Sequence, residues 1–286
     1  MAHNVVVGID GSEASAAAAG WAAAEARRSG HGLRLVHVVG TEADALGREL
    51  DGIGGVPEPV AAIRDRLTAA LPDLAVTCEV LPGHPAPALT AAGRRAPLLV
   101  LGSRGLGGFT GLLVGSVGLR TAAHADCPVV LVRAGADGRG GSPGDVVVGV
   151  EGDRPCDAVL DFAFRYAADS GAALRAVESR RPSRVPYVTE APLDDRQITE
   201  SLRAAAEVRL RDALARWREK YPEVRTQVEV CAWNASRTLV EASRSASLVV
   251  LGRRAPRHPI AVPRLGPVAH AVLHHAHSPV AVVPHV

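Results

Sequence analysis

Val5-Val6-Val7-Gly8-Ile9-Asp10-Gly11-Ser12 decides the fold. A short apolar run that ends abruptly in Asp-Gly reads as a strand covered on both faces. Ser12 follows as a helix N-cap, because its side-chain oxygen can accept from a backbone N–H of the first turn. The stretch 13–29 is Ala-rich and helical, and Gly30 stops it. Strand, tight turn and helix form the opening unit of a parallel α/β sheet.

The same stretch returns as Val146-Val147-Val148-Gly149-Val150-Glu151-Gly152-Asp153, 141 positions later. Ala96-Pro97-Leu98-Leu99-Val100-Leu101-Gly102-Ser103-Arg104 returns as Ala246-Ser247-Leu248-Val249-Val250-Leu251-Gly252-Arg253-Arg254, at an offset of 150. Cys127-Pro128-Val129-Val130-Leu131-Val132 returns as Ser278-Pro279-Val280-Ala281-Val282-Val283, at an offset of 151. Three matches in one order at nearly one offset define a tandem repeat. The two domains are 1–135 and 144–286, joined through 134–145, which is rich in Gly, Asp and Pro and reads as a linker.

Strand and helix signals alternate through the first domain. Strands are read at 5–9, 33–39, 75–81, 98–102 and 129–133, and helices at 13–29, 58–71, 86–92 and 116–125, with a loop at 41–57. The expected fold is α/β: two tandem doubly wound domains, each a five-stranded parallel sheet with helices on both faces. The last strands, 129–132 and 280–283, are apolar on both faces and are expected at a sheet edge. An exposed apolar edge is a pairing hazard unless it is covered.

Composition narrows the function. The chain has 286 residues, with 47% hydrophobic and 22% charged, the balance of a globular protein. Aromatics are only 3%, so the core rests on Val, Leu, Ile and Ala. There are 32 Lys+Arg against 30 Asp+Glu, and this balance does not call for nucleic acid as a partner. Cys78, Cys127, Cys156 and Cys231 show no zinc or redox spacing and read as reduced thiols. The start of the chain does not read as a signal peptide, and no apolar run approaches the ~20 residues of a membrane helix. A cytoplasmic protein that does not bind membranes is expected.

In doubly wound sheets ligands bind beyond the carboxyl ends of the strands, where strand order reverses. After the first strand come Asp10-Gly11-Ser12. After the fourth come Gly102-Ser103-Arg104-Gly105, nine further residues, and Gly115-Ser116 opening a helix. Glycines let backbone amides approach an anion, a helix N-terminus offers free N–H groups, and a serine adds a hydroxyl donor. This is a phosphate cradle built without lysine. Lys220 is the only lysine in the chain, so the GxxxxGK[ST] loop is excluded, and GxGxxG is absent after the first strand.

These residues, with Leu35-Val36-His37-Val38, resemble the universal stress proteins of the ATP-binding kind, in a tandem-domain form. The resemblance spans both halves and rests on Gly102-x2-Gly105-x9-Gly115-Ser116. It implies ATP as cofactor, with or without magnesium, and a regulatory role in the stress response. It gives Asp10 either to the ribose or to a metal near the phosphates, and the Val38 backbone to the adenine edge. Gly102, Gly105, Gly115 and Ser116 would hold phosphates, Ser103 and Arg104 would line the loop, and Val117 would add a backbone contact. Gly8 belongs to the same motif. The family also implies last strands that meet across a pseudo-two-fold axis, within the chain or in a homodimer.

The second half departs from this pattern. Asp10 becomes Glu151, Gly105 becomes Ala255, and Gly115-Ser116 becomes Gly266-Pro267, which removes a hydroxyl and an N–H. The phosphate site is therefore expected in the first half alone. The second half is left with three readings: empty, selective for another ligand, or a packing partner.

Binding without turnover is the first functional reading, and slow ATP hydrolysis at the same site the alternative. Hydrolysis has only Asp10 as base and Arg104 as arginine finger. A phospho-receiver reading fails, because no aspartate follows the third strand and no lysine the fifth. A serine-hydrolase reading lacks the G-x-S-x-G elbow. His270 and His274 have a metal-compatible i, i+4 spacing but no acidic or Cys neighbour, so a solvated cluster at a helix end is favoured. His84 reads as a turn residue and His37 as a packed strand residue.

Overall fold

The computed structural model describes residues 4–40, 56–103, 114–135, 144–151, 155–179, 195–231, 234–255 and 264–285. The expected loop at 41–57 and the linker lie mostly outside them. In the first half the elements are β1 (Val5–Ile9), α1 (Glu13–Arg28), β2 (Leu33–Val39), α2 (Glu58–Ala70), β3 (Val76–Pro82), α3 (Pro85–Gly93), β4 (Leu99–Gly102), α4 (Ser116–His124) and β5 (Val129–Val132). In the second they are β6 (Asp145–Val150), α5 (Asp157–Ser170), β7 (Leu174–Ser179), α6 (Asp195–Lys220), β8 (Thr226–Cys231), α7 (Ala235–Ala242), β9 (Ala246–Arg254), α8 (Pro267–His275) and β10 (Val280–His285).

All ten strands form one sheet in the order β3-β2-β1-β4-β5-β10-β9-β6-β7-β8. Each half is parallel throughout, with order 3-2-1-4-5 and the reversal between β1 and β4, or β6 and β9. The halves join where β5 and β10 pair antiparallel, with Val130 opposite Ala281. Neither apolar last strand is left as an edge, which answers the pairing hazard inside one chain.

Local sequence explains the elements. Ser12 caps α1 through its Oγ, which accepts from the Ser15 N–H at 3.2 Å. Ala18, Ala19, Ala22, Ala23 and Ala26 are fully buried, so α1 lies close on the sheet with methyl groups alone. Among the described residues the aromatics gather on the second half and the seam. Phe164 stacks on Trp217 and Tyr221, and Trp21 of α1 lies parallel to Tyr166 of α5 at 6.1 Å. Such pairs add to area burial.

One repeated device was not anticipated. Arg34 on β2 donates to the Ala92 carbonyl at the end of α3 and pairs with Glu79 at 3.5 Å. Its counterpart Arg175 on β7 donates to Ala242 at the end of α7 and pairs with Glu229 at 3.6 Å. Each arginine covers the carbonyls that a helix C-terminus leaves without intrahelical partners.

Candidate functional site

The site is built at the carboxyl ends of β1 and β4, where strand order reverses. Asp10 leaves β1 here. One carboxylate oxygen accepts from the Ser12 N–H at 3.0 Å and from the Ser12 hydroxyl at 2.6 Å. Ser12 in turn caps α1, so Asp10, the turn and the helix start are one hydrogen-bonded unit. Gly11 sits at φ +84°, a left-handed backbone that favours glycine.

His37 is nearer the site than its strand position suggested. Its Nδ1 lies 2.7 Å from the Ile9 carbonyl, one residue before Asp10. A carbonyl only accepts, so Nδ1 carries the proton, and in the neutral ring Nε2 remains an acceptor. Sequence periodicity could place His37 on a strand but could not show that its ring bonds the neighbouring main chain.

Gly102 is needed for packing as well as for the loop. A Cβ there would lie 2.7–2.8 Å from the backbone of Ala14 and Ser15, so glycine lets the first turn of α1 cross the end of β4. Ser103 is buried; its N–H donates to Val132 and its carbonyl accepts from the Gly115 N–H at 2.8 Å. That bond pins the start of α4 to the end of β4. It also means that Gly115 spends its own N–H on Ser103, so the amides presented by this helix start are those that follow. Gly115 is the N-cap, it supplies no side chain, and the first bond of α4 runs from Leu119 N–H to the Gly115 carbonyl. The N–H groups of Ser116, Val117 and Gly118 therefore have no intrahelical partner. They are joined by the Ser116 hydroxyl at the positive end of the helix dipole.

Gly8 also answers a packing need. Its missing Cβ leaves room for Leu101 and Leu89, whose methyls would lie at 2.5 and 2.9 Å from one. Val38 stands near the end of β2, paired with Leu81 of β3. Arg104 and Gly105 lie outside the described residues. Asp10, Gly102, Ser103, Gly115, Ser116 and Val117 are thus gathered on one edge.

The second half repeats the frame and changes the chemistry. Gly149 receives Leu251 as Gly8 receives Leu101. Glu151, in the place of Asp10, pairs with Arg254. Pro267 opens α8 where Ser116 opens α4. The histidines of α8 do make a cluster, with the rings of His270 and His274 4.6 Å apart. Burial, then the neighbours His270, His275 and Arg133, hold His274 below the usual histidine range. Among the described residues no three His, Cys, Asp or Glu gather to hold a metal. No described helix is long and apolar enough to cross a membrane.

Two doubly wound halves joined edge to edge in one sheet, with Asp10 and the α4 start both at the carboxyl ends of strands where strand order reverses, define a tandem α/β protein with a switch-point candidate site. The chain belongs to the universal stress protein family, whose sequence model matches residues 1–133 and 144–284. It is 33% identical over 293 residues to universal stress protein Rv2005c of Mycobacterium tuberculosis (strain ATCC 25618 / H37Rv), covering 98% of this chain and 96% of that one. It is 31% identical over 290 residues to universal stress protein Rv2623 of the same strain, covering 97% and 95%. Among solved structures, a universal stress protein from Archaeoglobus fulgidus DSM 4304 shares the fold with a TM-score of 0.62, at 16% identity, covering 98% of each chain.

Proposed function

We propose that the first half binds ATP and that binding, rather than turnover, is the function, in a regulatory role in the stress response. The observation that carries this reading is the start of α4. An N-cap without a side chain leaves three main-chain N–H groups and a hydroxyl at one helix end, and Asp10 leaves the strand adjacent to β4 at the same end of the sheet. Phosphate is the ligand such an end suits.

The Asp10 carboxylate accepts two hydrogen bonds from Ser12. Both bonds hold one carboxylate oxygen in place, which suits a positioned acceptor for a ribose hydroxyl or a ligand to a magnesium ion travelling with the phosphates. Magnesium takes one or two carboxylates plus phosphate oxygens, and one carboxylate stands here. When bound it would neutralise phosphate charge. Neither role requires hydrolysis.

The test is to extract the purified protein with acid and identify the released nucleotide by mass spectrometry, then follow radiolabelled ATP. ATP recovered in stoichiometric amount and unconverted over hours supports the reading. Steady release of phosphate that stops in Ser116→Ala favours the hydrolase.

A further inference from the structure

We propose that the second half holds an arginine-walled site for a small organic anion with an apolar body, distinct in chemistry from the glycine cradle of the first half. The proposal does not depend on ATP binding by the first half.

A cavity of about 560 Å³ opens at the carboxyl ends of β6 and β9. That volume is in the range of small-molecule sites. Val159, Val177 and Leu251 form its apolar wall, and Arg253, Arg254 and Arg264 its charged one. Arg253 is the key residue. It is 5% exposed, and one of its terminal nitrogens donates to the Ala125 carbonyl of the first half. Its Nε is buried with no hydrogen-bond partner, a feature shared with Arg34 and Arg175, and of these three arginines Arg253 is the one that lines this cavity. Buried donors in native proteins are almost always satisfied, and a guanidinium bonds most strongly to an anion.

A second, separate feature points the same way. α8 starts on the same cavity, at Gly266, with no side-chain cap. The N–H groups of Val268 and Ala269 lack intrahelical partners and stand at the positive end of the helix. Arg264 lies two residues before the cap and lines the same space. The one carboxylate among the cavity's lining residues, Glu151, is paired with Arg254. Asp126 of the first half also acts on Arg253, and with Glu151 and Asp126 both counted against the three arginines the wall remains net positive.

The features that suit a nucleoside triphosphate in the first half are changed here. Glu151 is engaged by Arg254, and Pro267 has neither the hydroxyl nor the N–H of Ser116. What remains selects a compact anionic head, carboxylate or phosphomonoester, by guanidinium pairing, and packs its body on the valines and leucine.

Cys156 lines the same cavity and reports on its occupancy. The experiment measures alkylation of Cys156 by N-ethylmaleimide in the full chain, located by peptide mass spectrometry, with Cys78 of the first half as internal reference. Phenyl phosphate and phenylacetate are the probes, and ATP is the contrast. At least one probe should slow Cys156 several-fold and leave Cys78 unchanged, and the one that does identifies the head group. Arg264→Gln, which removes no described hydrogen bond, should abolish the protection at unchanged melting temperature, and Arg253→Lys should weaken it. No protection by either probe overturns the proposal. So does protection by ATP in preference to both, and so does protection that survives in both variants. Failure of ATP to bind the first half would leave this readout untouched.

Discussion

The guanidinium of Arg253 donates to the main-chain carbonyl of Ala125, so a residue of the second half caps the helix that begins at the first half's site. The reverse contact also exists. Arg133, just beyond β5, donates to the Leu273 and His274 carbonyls at the end of α8. Each half thus terminates the site helix of the other, and the β5–β10 pairing holds the two contacts in register.

Arg253→Met keeps the bulk of the side chain and removes the donors. Ala125 is buried, so its carbonyl then loses a charge-assisted partner without gaining water. Losing a hydrogen bond to a charged group costs about 1.5–3 kcal/mol. Thermal unfolding should show a melting temperature lower by several degrees; an unchanged one contradicts the capping role.

The two glycines of the cradle should behave differently. Gly102→Ala puts a Cβ 2.7 Å from the Ala14 backbone, which cannot rotate away, whereas Gly115→Ala meets nothing nearer than the Ser103 carbonyl at 3.8 Å. Overpacking of this kind costs about 1–3 kcal/mol. Denaturant titration should find Gly102→Ala destabilised and Gly115→Ala close to wild type. Equal stability of the two variants would count against the close approach of α1.

Part of this arrangement was legible in the sequence. Asp10, Gly102, Gly115 and Ser116 mark the candidate site because their spacing fits a strand-to-helix turn, and the repeat offsets mark the two halves. The apolar last strands read as edges in need of cover, and the family resemblance implied that they meet, as β5 and β10 do. Contacts distant in sequence were not legible. Arg34 and Arg175 carry no local sequence signal of their role, since their carbonyl partners lie 58 and 67 positions away. Gly8 read as part of the binding motif, and its packing role was hidden because the side chains that fill its missing Cβ, Leu101 and Leu89, come from β4 and α3. Replacement of Ser116 by Pro267 showed what the second half lost. It could not show the arginines that line its cavity.

Asp10→Asn keeps an oxygen for Ser12 to bond and removes the charge. The fold should persist, and ATP affinity should fall roughly 10- to 100-fold, the equivalent of ~1.5–3 kcal/mol. Unchanged affinity in calorimetry would remove Asp10 from the site.

Glu25, at the seam between α1 and α5, pairs with Arg28, yet burial holds its carboxyl above the ordinary 4.5, with the Arg28 charge and hydrogen bond working against it. A carboxyl raised in the folded state adds stability below its unfolded pKa, and this is lost as pH rises through the folded value. The stability of Glu25→Gln relative to wild type should therefore be greater at pH 7 than at pH 4. Chemical denaturation at both pH values checks this, and the opposite ordering contradicts the burial effect.

The fragment 1–136 leaves β5 uncovered, with Val129, Val130, Leu131 and Val132 all buried in the full chain. It should pair with a second copy in place of β10. Sedimentation should show a dimer; a soluble monomer at high concentration argues that β5 does not need the pairing.

The central claim is that the start of α4 holds phosphate. Ser116→Pro tests it most directly, because Pro267 opens the equivalent helix of the second half and shows that the frame accepts proline at the first helical position. Calorimetric titration of ATP into the full chain should give one tight site per chain in the wild type. In Ser116→Pro, with its melting temperature unchanged, that site should be lost. Undetectable binding in the wild type, or equal affinity in the variant, would contradict the account.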